Sequence, residues 1–296
     1  MNPSLTGTVV AAFGRHYEVA LPDSVQPISC VRRGKRKDVA CGDQVDIQLT
    51  GPGQGVIETI HERRTLLYRA DTWREKLLAA NIDQALVVVA SEPTYSDELL
   101  TRCLIAADAA GVVPIIVLNK MDLGEAAART LTALEYYIDL GYPLIQLSAL
   151  GDVTALQPIL EGRISILVGQ SGMGKSTLIN ALVPDAMART NSMSTALDTG
   201  RHTTTAARCY ALNAQAALID SPGLQEFGLA HLSPRAIEGY FREFSELLGQ
   251  CRFMDCQHLN EPDCALKNRA RGHARRELRL RYLTNLQQAK RHKAHG

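Results

Sequence analysis

At 296 residues, with 46% hydrophobic residues and a net charge of +1, the chain is too long for one small domain and points to two or three with buried cores. Its longest apolar runs, Ala85 to Ala90 and Val112 to Leu118, fall short of the roughly 18–20 residues that span a bilayer, so no membrane segment is expected. Seven cysteines, an odd number, fit reduced thiols better than a disulfide framework, and MNPSLTGTVV at the start has neither a basic leader nor an apolar stretch, so cytoplasmic residence is the expectation.

From about Leu5 to Ile60 the chain offers short strand-like runs, GTVVAA, HYEVAL, ISCV, DQVDIQL and GVIETI, separated by Gly, Pro and Asp. Five such runs without a helix predict a small closed β-barrel of OB type over residues 1–70, a shape that often binds single-stranded nucleic acid. A basic cluster, RRGKRK at Arg32 to Lys37, sits within it. The other end matches it in sign: Lys267 to Gly296 holds ten Lys or Arg and one acid, Glu277, a balance of +9 against −8 for the rest. Basic clusters flanking an acidic middle favour a polyanionic partner.

Between residues 71 and 230 apolar strands alternate with helical stretches, the signature of an α/β domain with a parallel sheet. ALVVVA precedes a helix near Asp97 to Ala110, VVPIIVL ends at Asn119, a helix near Ala126 to Leu140 leads to PLIQL, and ISILV runs into a glycine-rich loop. Motifs then fall at the carboxyl ends of strands, where such sheets bind ligands.

The first motif is NKMD. Asp122 suits the guanine N1–H and exocyclic amine, Asn119 ties loops together, and Lys120 covers the base beside Met121. Buried polar groups that the wrong base would leave unpaired make such a site selective. After PLIQL, Ser148 and Ala149 can turn backbone N–H toward guanine O6.

The glycine-rich loop is GQSGMGKST: Gly169, Gln170, Ser171, Gly172, Met173, Gly174, Lys175, Ser176 and Thr177. It matches the phosphate loop, in which backbone N–H groups cradle phosphates, the lysine reaches the β- and γ-phosphates, and the serine hydroxyl ligates Mg²⁺. GRHTTT follows at Gly200 to Thr205, with Thr204 the expected second Mg²⁺ ligand. DSPG then places Asp220 to hold Mg²⁺ through water and Gly223 to sense the γ-phosphate. All five elements of a GTPase are present, but the base-reading motifs come first. A circular permutation explains that order, because it rearranges the chain while preserving the site.

Residues 231–296 read as a mostly helical domain around CRFMDCQHLNEPDC. Cys251, Cys256, His258 and Cys264 are four ligands of the right type for one tetrahedral, structural zinc.

With these motifs in view, NKMD, GQSGMGKST, GRHTTT, DSPG and CRFMDCQH…EPDCAL, the chain resembles, along nearly its whole length, the RsgA (YjeQ) family of circularly permuted, ribosome-associated GTPases. The resemblance implies an OB barrel, a permuted GTPase domain and a zinc domain acting in late maturation of the small ribosomal subunit, by contact with its rRNA. It further implies GTP hydrolysis that is slow alone, stimulated on the subunit, and coupled to release. Leu224 stands where Ras-like GTPases place a water-orienting Gln, and the resemblance gives that task to His202. The catalytic set expected is therefore His202, Lys175 and Thr204. An rRNA-binding assembly protein in which GTP is only a conformational ligand is the alternative, and Leu224 keeps it open. An ATP-driven RNA remodeller is disfavoured by Asp122. No coiled-coil pattern argues against a monomer.

Overall fold

The computed structural model describes residues 4–22, 24–34, 38–70, 75–183, 207–221, 229 and 231–294, with side chains 69, 70, 75, 76 and 290–294 excepted. The expected sites His202, Thr204 and Gly223 lie outside the described residues, as do Leu224 and Lys35 to Lys37 of the basic cluster.

The first five strands are β1 (Leu5–Phe13), β2 (His16–Ala20), β3 (Ile28–Arg32), β4 (Gln44–Gly51) and β5 (Gln54–Ile60). Antiparallel pairing runs β1 to β2 to β3, β3 pairs in parallel with β5, β5 pairs with β4, and β4 returns to β1. The circuit is a closed barrel. Alternation along the strands turns Val9, Tyr17, Val19, Cys30, Val45, Ile47 and Ile57 inward, where all are buried.

A hairpin that the sequence did not suggest follows: β6 (Leu66–Ala70) and β7 (Glu75–Ala80) pair antiparallel, and residue 70 is the last of β6. It is tied to the barrel by the Ala80 N–H to Cys41 O at 2.8 Å and by Asn81 Nδ2 to Gly42 O at 2.9 Å.

The central sheet contains β8 (Gln84–Val89), β9 (Val113–Leu118), β10 (Leu144–Gln146), β11 (Ile164–Val168), β12 (Arg208–Ala211) and β13 (Ala217–Asp220). Its order is β10-β9-β8-β11-β13-β12, parallel except for β12. The chain enters at β8, works outward to β10, and returns to β11 on the other side of β8. The crevice between β8 and β11 is thus a topological switch point, where open α/β sheets bind ligands. β8 is buried along its whole length, as a strand covered on both faces must be.

Val87, Val89, Ile116 and Val168 face α1 (Asp97–Ala109) and α2 (Glu125–Asp139), whereas Leu86, Val88, Val117 and Leu167 face α3 (Gln157–Leu160) and α4 (Lys175–Leu182). Ser96 caps α1, its side chain accepting from the Leu99 N–H.

The C-terminal part holds α5 (Pro234–Glu238), a 3₁₀ turn at Arg242–Leu247, α6 (Ala265–Ala270) and α7 (Ala274–Ala294). Phe241, Phe244, Leu280, Leu283 and Leu286 join the same core as α1 and α2. The basic tail turns only part of its charge outward. Arg279 is 1% exposed, paired with Glu243, bonded through Nη1 to Thr101 Oγ1 at 2.8 Å, and stacked against the Tyr137 and Phe241 rings. Arg275 lies 3.2 Å from Asp97 and donates to Ala133 O at 2.7 Å. These charges fasten the C-terminal helices to α1 and α2 rather than facing outward, because partners distant in sequence await them. Arg32 is similarly spent on the barrel, donating to Ile57 O at 3.0 Å and pairing with Asp38 at 3.5 Å. Among the described residues no helix is long and apolar enough to cross a membrane.

Candidate functional site

The phosphate loop follows β11, and α4 begins at Lys175. Gly169 lies at φ +141°, and a Cβ there would stand 2.3 Å from Val88 O, so only glycine lets this loop lie against β8. The Lys175 ammonium donates to Gly169 O at 2.7 Å and Gln170 O at 2.9 Å, which folds the side chain back across its own loop. Burial lowers its pKa, while the facing Asp220 charge opposes that shift. Asp220 ends β13, and burial raises its carboxyl while Lys175 pulls it back down. Next to Asp220, the Ser221 hydroxyl donates to Leu167 O at 2.7 Å and holds β13 against β11.

Asn119, 1% exposed at the end of β9, joins three segments. Its Nδ2 donates to Met173 O at 2.8 Å, and its Oδ1 accepts from the Ala149 N–H at 2.9 Å. Lys120, at φ +62°, extends Nζ to Gly172 O at 2.9 Å and Glu92 O at 2.6 Å. Asp122 accepts from the Ser148 hydroxyl at 2.5 Å. A cavity of about 380 Å³ opens between these groups, lined by Asn119, Lys120, Asp122, Ser148, Ala149, Gly174 and Thr177 among others. NKMD, the Ser148-Ala149 turn and the phosphate loop, far apart in the chain, therefore form one cradle. The segment just before α1 completes it: Pro93 packs against Gly172, and the Ser96 N–H donates to the Gln170 side chain at 3.1 Å. Nothing in the sequence marked that segment.

The second cluster lies in the C-terminal part. The ligand atoms of Cys251, Cys256, His258 and Cys264 all lie within 4.8 Å of one another. Nδ1 of His258 is 3.3 Å from the Cys264 sulfur, 3.5 Å from that of Cys256 and 3.7 Å from that of Cys251, and the Cys251 and Cys264 sulfurs are 3.9 Å apart. Tetrahedral bonds of about 2.3 Å to sulfur would set ligand atoms about 3.8 Å apart, so the four residues are arranged to hold one metal ion. The opposite ring nitrogen of His258 stands 3.3 Å from Glu238 Oε1, and Glu238 also accepts from Gln287 on α7 at 2.6 Å. A carboxylate behind a ligating imidazole fixes its tautomer. Glu238 lies outside the CRFMDCQH…C motif and was not foreseen.

The model of the RsgA GTPase family matches residues 60–230. A protein of Nitrosospira multiformis called "Small ribosomal subunit biogenesis GTPase RsgA" is 53% identical over 270 residues, 91% of this chain and 86% of its own length. The chain belongs to the RsgA GTPase family. It is accordingly a GTP hydrolase. A protein of the same name from Neisseria meningitidis is 49% identical over 281 residues, covering 95% of this chain and 91% of the other. Among solved structures, YjeQ from Thermotoga maritima superposes with a TM-score of 0.71 at 29% identity, covering 96% and 99% of the two chains. YloQ, described as a circularly permuted GTPase, gives 0.67 at 25% identity, covering 97% and 96%. The RsgA-type fold accounts for the strand order above, with β9 and β10, which lead into NKMD and Ser148-Ala149, ahead of β11, which leads into GQSGMGKST.

Proposed function

We propose that this GTPase binds the small ribosomal subunit and its rRNA during late maturation, that the subunit stimulates hydrolysis, and that hydrolysis drives release. The observation that supports the nucleotide part of this reading is the Asn119 clamp, which ties the NKMD loop, the Ser148-Ala149 turn and the GQSGMGKST loop together. The name shared by close relatives supplies the substrate assembly.

In this reading Asp122 reads guanine, the Ser148-Ala149 turn lies beside its O6, with the Ala149 N–H shared with Asn119, and Lys120 covers the base. Residues 169–177 wrap the phosphates, and Gly223 senses the γ-phosphate. Mg²⁺ held by Ser176 and Thr204, and by Asp220 through water, would neutralise the phosphate charge. Lys175 is already desolvated, so its charge acts in a low-dielectric pocket where it counts most. His202 would orient the attacking water, since Leu224 cannot. Zinc is the metal we assign to the Cys₃His cluster. Four protein ligands leave no open position, which makes its role structural.

The barrel of residues 1–70 and the helical end of residues 231–296 would hold the RNA, with residues 71–230 as the timer between them, in a cytoplasmic monomer. Turnover measured with and without purified small subunits tests the proposal. A rise of orders of magnitude is expected; an unchanged rate would reduce the subunit to a bystander.

A further inference from the structure

The C-terminal tail divides sharply by use. Arg275 and Arg279 are consumed by internal partners. Arg271 and Arg281, by contrast, are exposed and make no side-chain hydrogen bond or ion pair among the described residues. Both line a groove of about 550 Å³ between the metal cluster, α6 and α7. Lys267 spans its wall, donating to Leu259 O at 2.9 Å, and so fixes a third positive charge there. Among the described residues the one acid lining the groove, Glu277, accepts from the Gly272 N–H at 2.9 Å, which engages it in the turn before α7. Leu259 and Leu280 form an apolar part of the lining.

The volume lies within the roughly 300–1,000 Å³ of small-ligand pockets. Cations beside an apolar wall suit a group that is anionic at one end and flat and weakly polar at the other. A nucleotide has that form. Duplex RNA is too wide to enter, but single strands splay out individual bases that settle on side chains while their phosphates meet Arg and Lys. We infer that this groove holds one nucleotide splayed from a single-stranded stretch of RNA, its phosphate on Arg271 and Arg281 and its base against Leu259 and Leu280. The metal cluster, whose His258 borders the groove, would keep its wall rigid. The inference rests on the proposal that this protein binds RNA, and it names the site and the strandedness of what is bound.

The test uses the full chain, a fluorescent single-stranded RNA of about 12 nucleotides, an abasic strand of the same length, and a duplex, at fixed salt. Arg271→Gln and Arg281→Gln are compared with Arg269→Gln, an exposed tail charge outside the groove. Each groove variant should weaken single-strand binding about three- to tenfold, the control less than about twofold, and the abasic strand should bind the unaltered protein several-fold more weakly. Duplex binding should fall equally and slightly in all three variants.

Equal losses in the three variants on single strands would mean diffuse charge alone and overturn the inference. So would tight abasic binding, no single-strand binding at all, or an acidic peptide that displaces the probe better than RNA of equal charge. Subunit-stimulated turnover in the unaltered protein is a separate readout. If it is present while groove selectivity is absent, only the groove is lost; if it is absent while selectivity persists, only the subunit assignment is lost.

Discussion

Replacing Asn119 with Ala removes both ends of the clamp between the Ser148-Ala149 turn and the GQSGMGKST loop. Met173 O and the Ala149 N–H, now bonded at 2.8 and 2.9 Å to a side chain that is 1% exposed, would lose their partner. A buried polar group left unpaired costs about 1–3 kcal/mol, so the pair sets a range of about 2–6 kcal/mol. Ala149 borders the open cavity, where water can enter the gap left on that side, and the lower part of that range, about 2–3 kcal/mol, applies. If nucleotide binding must restore the lost alignment, affinity for GDP falls roughly 30- to 100-fold at about 1.4 kcal/mol per decade. Asn119→Asp is a sharper form of the same test. It keeps the acceptor for Ala149 but turns an oxygen toward Met173 O, so it should fall at least as far. Equilibrium titration with a fluorescent GDP reads the affinity, and thermal melting verifies that the variants fold. A folded Asn119→Ala protein whose affinity stays within about threefold of the original would refute the clamp as the organiser of the site.

Asp122→Asn should lose guanine nucleotides and gain xanthine nucleotides, whose extra carbonyl accepts from the amide; competition binding that keeps the guanine preference would remove Asp122 from that role. Cys256→Ser, or chelation, should release one metal ion per chain and raise proteolysis after Gly249 while GDP affinity changes little; metal analysis returning no zinc would contradict the assignment. Asp220 gives a pH prediction. Its folded pKa is raised by burial, so ionisation opposes folding, and its contribution to stability declines as pH climbs from about 3.8 through the raised value. Asp220→Asn should remove that decline, and superimposable pH profiles of melting temperature would count against it.

Much of this architecture was legible because the physics that shapes it is local. The barrel strands alternate with period 2 between turn residues, and β8 and β9 read as continuous apolar runs because both faces are covered. The phosphate loop is legible because close backbone approach admits only glycine at Gly169. The β6–β7 hairpin was not legible: EKLLAA in β7 is made of good helix formers, and only pairing with LLYRA holds it extended. The inward turn of two tail charges was hidden for a similar reason. Arg275 and Arg279 lie four apart on one face of α7, and no local signal announces that Asp97 and Glu243 will meet them. The same applies to Glu238, whose place behind His258 depends on how α5 packs. Helix and strand patterns are written in neighbours; which charges turn inward is decided by contacts between separate elements of the fold.

The barrel has a second consequence, through the place where it touches the central sheet. β1 pairs with β12 at Ala11 and Arg208, and Arg208 lies 3.7 Å from Glu18. β12 would otherwise be an open edge, with backbone N–H and C=O groups ready to accept a strand from another molecule. At the far side β10 is only three residues long, too short to template such an addition. One edge is therefore shielded by a neighbouring fold and the other blunted by brevity, two of the ways proteins avoid sticking edge to edge. Excising the barrel to isolate the GTPase region would uncover β12, and the fragment's tendency to aggregate would then reflect a lost guard rather than a failure to fold.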